Sequence, residues 1–446
     1  MNARPLLVLL SLVCLLGSVA SALPLYRDSL PNGLIVVTYE DHRLPMTDIA
    51  FVCRSGHEFD PKGKDGTATG VAYLLARGSK TMSGDSVTSV VDFLGGRFEG
   101  NAGTDNSRLS LRCLSKDFGT ALDLLADGVL RPAFDTAEMA LARSQAMQGA
   151  ERRNDYPGWQ VSIEFDRLLF GTNPQGTPDD GDTLTIPRIT RDDIIQFHKT
   201  HYVPNNCFIV VVGDVNRQDA VRMIGERFGA WQPAAVPASN VVPPAMPDRI
   251  KVKLITRDDL NQTYVFLGHP GISINDPDML ATRLMSYILG GSAMSSRLGI
   301  AVREEAGLAY DVNAYFDRGK LVGAFRSSVE TNRPKDAIAK MLDQIRLMHD
   351  SGATKSELTR AHNYYTGSFP LTYSSNSGKL NQVVNIELYR LGLDWLDRYP
   401  DRIRAVTLEQ VNAAARDHIN PGHYYMVIIG NVTKDDLGLT DVEWLP

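Results

Sequence analysis

Cysteine is scarce in this chain: 4 among 446 residues. One of them, Cys14, sits in an amino-terminal apolar stretch, leaving Cys53, Cys113 and Cys207. Three thiols are too few for a disulfide framework, so the fold has to be held by an apolar core. Cys53 and Cys113 both fall in predicted strands and could make one bridge in an oxidising compartment, with buried free thiols as the default. Positive charge does not dominate either. Lys and Arg number 46 against 52 Asp and Glu, a formal net charge of −6, which argues against a nucleic-acid partner. After Leu6–Leu16 no second long apolar run follows, and that one is short of the ~20 residues needed to span a bilayer. G-x-S-x-G, P-loop and convincing C-x-x-C motifs are all missing, so serine-hydrolase, nucleotide-binding and redox chemistry have nothing to stand on.

What is present is ordinary globular composition, 43% hydrophobic and 22% charged, at a length that predicts two domains. Residues 1–22 read as a secretory signal: Arg4, the apolar run, then Ala20-Ser21-Ala22 as an A-x-A cleavage site. Val13 before Cys14 does not fit a lipid-anchored leader, so the expectation is an exported, periplasmic chain without a membrane anchor.

The remainder is written twice. His201-Tyr202-Val203-Pro204 and the strand Phe208 to Val215 return as His418-Ile419-Asn420-Pro421 and Tyr425 to Val432, at a constant offset of 217 residues. Thr190 and Thr407, and Arg143 and Arg360, keep the same offset. A register held across a helix, a turn and a strand marks internal duplication. Residues 233–247, with five prolines and no charge, read as an extended tether. The expected organisation is a signal at 1–22, a first repeat at 23–232, the linker at 233–247 and a second repeat at 248–446, each repeat α+β.

Gly66 to Ser79, GTATGVAYLLARGS, sits between an apolar alternation ending at Cys53 and a Gly-Gly turn leading to Asn101-Ala102-Gly103-Thr104. This layout resembles the first repeat of the insulinase/pitrilysin-type zinc peptidases, the inverted zincins, whose ligands sit on a helix as H-x-x-E-H. In register, the motif falls on Thr69-Gly70-Val71-Ala72-Tyr73. The family's third ligand, a glutamate before D-x-P, falls on Gly149 ahead of Asp155-Tyr156-Pro157. Zinc needs imidazole, thiolate or carboxylate donors, and none of the positions supplies one. The resemblance therefore implies a chain with no metal site of its own.

The second repeat keeps a different signature. Leu289-Gly290-Gly291-Ser292, Ser296-Arg297-Leu298 and Arg303 through Tyr310 resemble the family's glycine-rich loop and R-x6-Y pair. By that resemblance Arg303 and Tyr310 assist catalysis on a zinc carried by a partner, donating hydrogen bonds to a peptide carbonyl and its developing oxyanion. Gly290, Gly291 and Ser292 would line the substrate path, and Asn101 and Ala102 would lie on an edge strand able to take an extended peptide. The plain alternative is a surface arginine and a packed tyrosine. His198 and His201 have metal-compatible spacing but no acidic neighbour in their helix, and read as helix-end residues. His57-Glu58 lacks a following x-x-H. Tyr364 to Leu380 mixes aromatic and small polar residues; it reads plainly as a helix kinked at Pro370, while the resemblance implies a region that faces the chamber and could contact a peptide or partner.

The resemblance implies a clam-shell of two homologous α/β-sandwich halves. It implies a zinc-free subunit of a heterodimeric metallopeptidase, whose homologous partner bears H-x-x-E-H and the zinc, acting on peptides or small unfolded proteins. The alternatives are an inert peptide-binding or scaffolding protein of the same fold, and a homodimer with a relocated metal site.

Overall fold

A computed structural model describes residues 23–446; the signal expected at residues 1–22 lies outside the described residues. The first half contains β1 (Leu25–Ser29), β2 (Ile35–Glu40), β3 (Met46–Cys53), α1 (Thr67–Leu75), α2 (Gly84–Phe93), β4 (Arg97–Ala102) and β5 (Ser107–Leu114). It continues with α3 (Phe118–Leu130), α4 (Thr136–Asp155), α5 (Pro157–Phe170), α6 (Arg191–His201), β6 (Cys207–Gly213) and α7 (Arg217–Phe228). The second half opens with β7 (Lys251–Thr256), β8 (Thr263–Pro270), α8 (Met279–Leu289), β9 (Val312–Phe316), β10 (Ala324–Thr331) and α9 (Pro334–Ser351). After it come α10 (Lys355–Ser368), α11 (Asn376–Tyr389), α12 (Trp395–Ala405), α13 (Leu408–His418), β11 (Tyr425–Gly430), α14 (Lys434–Leu437) and β12 (Glu443–Leu445).

Each half builds a six-stranded mixed sheet, ordered β1-β2-β6-β3-β5-β4 in the first and β12-β7-β11-β8-β10-β9 in the second. From β2 and β7 onward the two orders correspond strand for strand, with β2–β6 and β7–β11 parallel and the following pairs antiparallel. The apolar run Cys207–Gly213 is buried along its whole length, as a strand covered on both faces requires. The duplication is also visible at local scale: α6 and α13 coincide residue for residue at the 217 offset, and Thr190 and Thr407 each close a capping box, with Asp193 and Gln410 respectively.

The halves exchange helices. Val36, Ile49, Phe51, Ile209 and Val211 point to a core shared with the first half's own helices. Alternation sends Val37, Ala50, Val52, Phe208 and Val210 to the opposite face, where α11 of the second half lies across β6 and β3. Reciprocally, Val161, Phe165 and Leu169 of α5 pack on Phe266, Val427 and Ile429 of the second sheet. Each of these large side chains contributes about 1.5–3 kcal/mol by leaving water, so neither sheet is fully covered without the other half.

One local expectation needs correction, while the thiols follow their default reading as buried and free. Pro370 breaks the Tyr364–Leu380 segment instead of kinking it: α10 stops at Ser368, a 3-10 turn spans Phe369–Tyr373, and α11 starts at Asn376, because proline lacks the N–H that would continue the ladder. Cys53 is opposite Ser107, not Cys113, whose partner on β3 is Thr47; the two thiols lie at opposite ends of the β3–β5 ladder, too far apart to bridge. Cys53 instead faces Cys207 on β6, and all three thiols are free and buried. The Pro-rich stretch has no helix or strand but is tied to the first half, with Asn205 Nδ2 donating to Ala234 O and Asn173 Nδ2 to Val242 O, at 2.9 and 2.8 Å.

Candidate functional site

Helix α1 is held from its amino-terminal end. Asp60 accepts hydrogen bonds from the backbone N–H groups of Gly66, Thr67 and Ala68 at 2.7, 3.1 and 2.7 Å, where the helix dipole favours a negative charge. The same carboxylate pairs with buried His57 at 2.8 Å, and the other imidazole nitrogen lies 2.8 Å from Pro174 O. Burial alone would lower the His57 pKa, but Asp60 outweighs it and lifts the group to about 9. Burial pushes the Asp60 carboxyl up, against the opposing pull of His57 and of the Ala68 and Gly66 N–H groups, and the pair is held by its 2.8 Å contact. Sequence spacing gave His57 little weight; its role is to fix the start of α1. The edge strand β4 comes down on the same helix at Gly100, where an added Cβ would lie 1.8 Å from Ala72 O.

The side chains at the motif positions are engaged with each other's surroundings. Thr69 Oγ1 donates to Asp179 O at 2.8 Å and Tyr73 OH to Gln145 Oε1 on α4 at 2.9 Å. Gly149, one turn beyond Gln145, faces open space. Between α1 and α4 lies a cleft of about 270 Å³ whose walls include Leu74, Met139, Ile186, Ile189 and Ile194. The one carboxylate in its wall, Asp180, is taken by Arg153, and a cleft otherwise flanked by a threonine, a tyrosine and a glutamine does not fit a zinc ion, which takes histidine, cysteinate or carboxylate donors. Among the described residues, three such groups converge within 4.8 Å at Asp276, Asp278 and His418, in the second half, where His418 Nε2 pairs with Asp278 at 3.0 Å.

His198 and His201 occupy the last turn of α6, as expected, but not as charges. His198 Nε2 is 2.9 Å from Val129 O and His201 Nδ1 is 3.0 Å from Ser55 Oγ. Burial lowers both pKa values to about 4, so they are neutral core groups.

In the second half, α8 ends at Gly290, where an added Cβ would lie 2.2 Å from Ala314 N on β9; the glycine lets the loop press onto the edge strand. Gly291 and Ser292 follow at the surface. Arg297 is structural: it binds Glu357 at 2.7 and 2.9 Å and Gly352 O at 2.7 Å. A π-helical turn, Gly299–Glu304, then presents Arg303, a wide turn of a kind common at functional sites. Gly307 takes a left-handed φ of +57°, reversing the chain so that Tyr310 returns to Arg303. The Arg303 guanidinium carbon stands 4.7 Å from the Tyr310 ring centroid, and Tyr310 is 82% exposed. The structure thus brings half-buried Arg303 and exposed Tyr310 together, while Asn101 and Ala102 lie on β4 at the far edge of the other sheet.

Residues 35–166 match the family model described as insulinase (peptidase family M16), and residues 188–365 the one described as peptidase M16 inactive domain. The chain belongs to the M16 peptidase family. A peptidase M16 inactive domain from Pseudomonas fluorescens has the same fold, with a TM-score of 0.85 at 28% identity over 92% of this chain and 98% of that one. A protease from Helicobacter pylori superposes with a TM-score of 0.84 at 18% identity, covering 91% and 99%. Among M16 relatives, a protein of Streptomyces coelicolor named as an uncharacterized zinc protease is 27% identical over 399 residues, 88% of this chain and 86% of its own length. Another M16 relative so named, from Bacillus subtilis, is 23% identical over 87% of this chain and 94% of its own.

Proposed function

We propose that this M16 chain is the zinc-free subunit of a heterodimeric metalloendopeptidase, exported to the periplasm. The observation that carries the reading is the pairing of opposites within one chain. The positions for zinc ligands hold Thr69, Tyr73 and Gly149 and that for the base holds Ala72, whereas Tyr310 is exposed with half-buried Arg303 against its ring.

In this reading a homologous partner bearing H-x-x-E-H carries the zinc. This chain's contribution is positional. Arg303 and Tyr310 donate hydrogen bonds to the oxygen of the scissile carbonyl, and these strengthen as negative charge develops there. The planar Arg303 guanidinium presents its N–H donors in a fixed fork, and its place against the Tyr310 ring limits the orientations it samples. Gly290, Gly291 and Ser292, with Asn101 and Ala102, line the path of an extended peptide or small unfolded protein.

The test is reconstitution with an H-x-x-E-H partner from the same cell. The purified chain alone should cleave no peptide and should restore turnover to the partner. Arg303→Ala with Tyr310→Phe should lower kcat by about 100-fold while leaving the assembly intact by size-exclusion chromatography. Unchanged turnover in that variant would favour a scaffolding subunit, and cleavage by the isolated chain would overturn the reading.

A further inference from the structure

A second cavity lies in the carboxy-terminal half, between α8, the edge strand β9 and the end of α10, with a volume of about 360 Å³. Its walls are aromatic. Tyr287 stacks on Tyr364 at a centroid separation of 4.4 Å, and Tyr364 meets Tyr365 edge to face. Arg283 enters between two further ring contacts, its guanidinium carbon 4.6 Å from the Tyr365 centroid and 5.3 Å from that of Tyr399. Arg318 stands at the mouth, with its side chain reaching solvent.

Charge and hydrogen bonding here are unbalanced. Among the described residues neither Arg283 nor Arg318 makes a salt bridge or side-chain hydrogen bond. The one carboxylate in the wall, Asp317, is already engaged by Arg326 at 2.8 Å and by Ala324 N at 3.0 Å. Three buried polar atoms on the cavity, Arg283 Nε, Thr282 Oγ1 and Tyr399 OH, have no protein partner, although Thr282 and Tyr399 are each only 1% exposed. A buried polar group left unsatisfied costs about 1–3 kcal/mol, more for a charged one. The surrounding protein and then the Arg283 charge lower the Arg318 pKa, so the two cations also oppose each other.

We infer that this cavity binds a carboxylate of a peptide ligand, held by Arg283 and Arg318 with Thr282 and Tyr399 beneath. Two guanidinium forks match the planar carboxylate, which accepts several hydrogen bonds at once. The tyrosine walls suit the apolar chain on which the carboxylate is carried. A peptide is indicated by the cavity's third wall: Ala314 and Tyr315 belong to β9, the outermost strand of its sheet, whose free edge can pair with an extended chain. The carboxylate is either a peptide's own C-terminus or an Asp or Glu side chain. The inference shares peptide binding with the proposed function but not Arg303, Tyr310 or a partner.

The test uses the full chain alone and calorimetric titration with three peptides: acetyl-Ala-Ala-Phe as the free acid, the same peptide as its amide, and acetyl-Ala-Glu-Ala amide. A carboxylate peptide should bind at least about tenfold more tightly than the uncharged amide. Tight binding of the first identifies the C-terminus as the source, and of the third an acidic side chain. Arg283→Gln with Arg318→Gln should abolish the preference with the thermal melt preserved. Arg318→Gln alone, at the exposed mouth, weakens it without touching the core. Affinity of both carboxylate peptides no greater than that of the uncharged amide, no binding at millimolar peptide, or full affinity in the double variant would each overturn the assignment.

Discussion

Glu387, on the helix that the second half lends to the first, is held by Arg54 at 2.6 Å, and Arg54 also donates to the Glu387 backbone carbonyl at 3.0 Å. Arg27 binds the other carboxylate oxygen at 2.8 Å, and Glu387 is only 6% exposed. Truncating a buried ion-pair partner leaves an uncompensated charge, at a cost of about 3–5 kcal/mol. Glu387→Ala should therefore lower Tm markedly. Because α5 and α11 are exchanged, calorimetry should record the loss as one cooperative transition of both halves; a separate early transition of one half would contradict the interlocked core.

The His57–Asp60 pair makes stability depend on alkaline pH. The folded pKa of His57, about 9, is raised above the unfolded value of about 6.5. Its contribution, on the order of 3 kcal/mol, is complete below pH ~6.5 and is lost as pH rises through about 9. Urea denaturation from pH 6 to pH 10 should show that decline, and His57→Gln should be less stable at pH 6 with a flatter profile. A wild-type curve flat across this window would contradict the charged pair.

At the acid end the responsible contact is Arg297–Glu357. Burial pushes the Glu357 pKa up, but Arg297 and the capping Thr354 outweigh it and hold the group at about 2. The folded value is depressed, so the stabilisation is present above the unfolded value of about 4.3 and is lost as pH falls through about 2. Glu357→Gln should destabilise the protein at pH 6 and lose less stability than wild type on acidification, as read by denaturation midpoints. Equal acid sensitivity in the two proteins would remove this contact from the account.

The duplication was legible because identical local chemistry recurs at one offset: Thr190 and Thr407 cap, and β6 and β11 are buried apolar runs. The helix exchange was not legible. The stripe Val161, Phe165, Leu169 announces burial without saying against which sheet. His57 was set aside because no x-x-H follows His57-Glu58, and Asp60 three residues on gave no sign of pairing with it under the start of α1. Arg283 lies in a helical pattern that reads as a surface charge, and only the tertiary fold sets it among Tyr365 and Tyr399 with no acid beside it. For Arg303 and Tyr310 the sequence supplied the pair, and Gly307 supplies the backbone reversal that stacks them.

The cleft between α1 and α4 lacks zinc donors at all three positions where ligands were expected, Thr69, Tyr73 and Gly149. Thr69 and Tyr73 are one turn apart on the face toward α4, and a side chain at Gly149 meets no atom within 4 Å. Thr69→His, Tyr73→His and Gly149→Glu together should therefore create a zinc site, since two imidazoles four residues apart and a carboxylate from a facing helix satisfy the metal's preferences. Ala72 is different, being fully buried beneath Gly100 of β4. Adding Ala72→Glu should cost about 1–3 kcal/mol by overpacking and lower Tm relative to the triple variant. Elemental analysis after dialysis, with the visible spectrum of the cobalt form, checks both parts. Stoichiometric zinc retained by the wild-type chain, or a triple variant that binds none, would show that something other than ligand chemistry governs this helix.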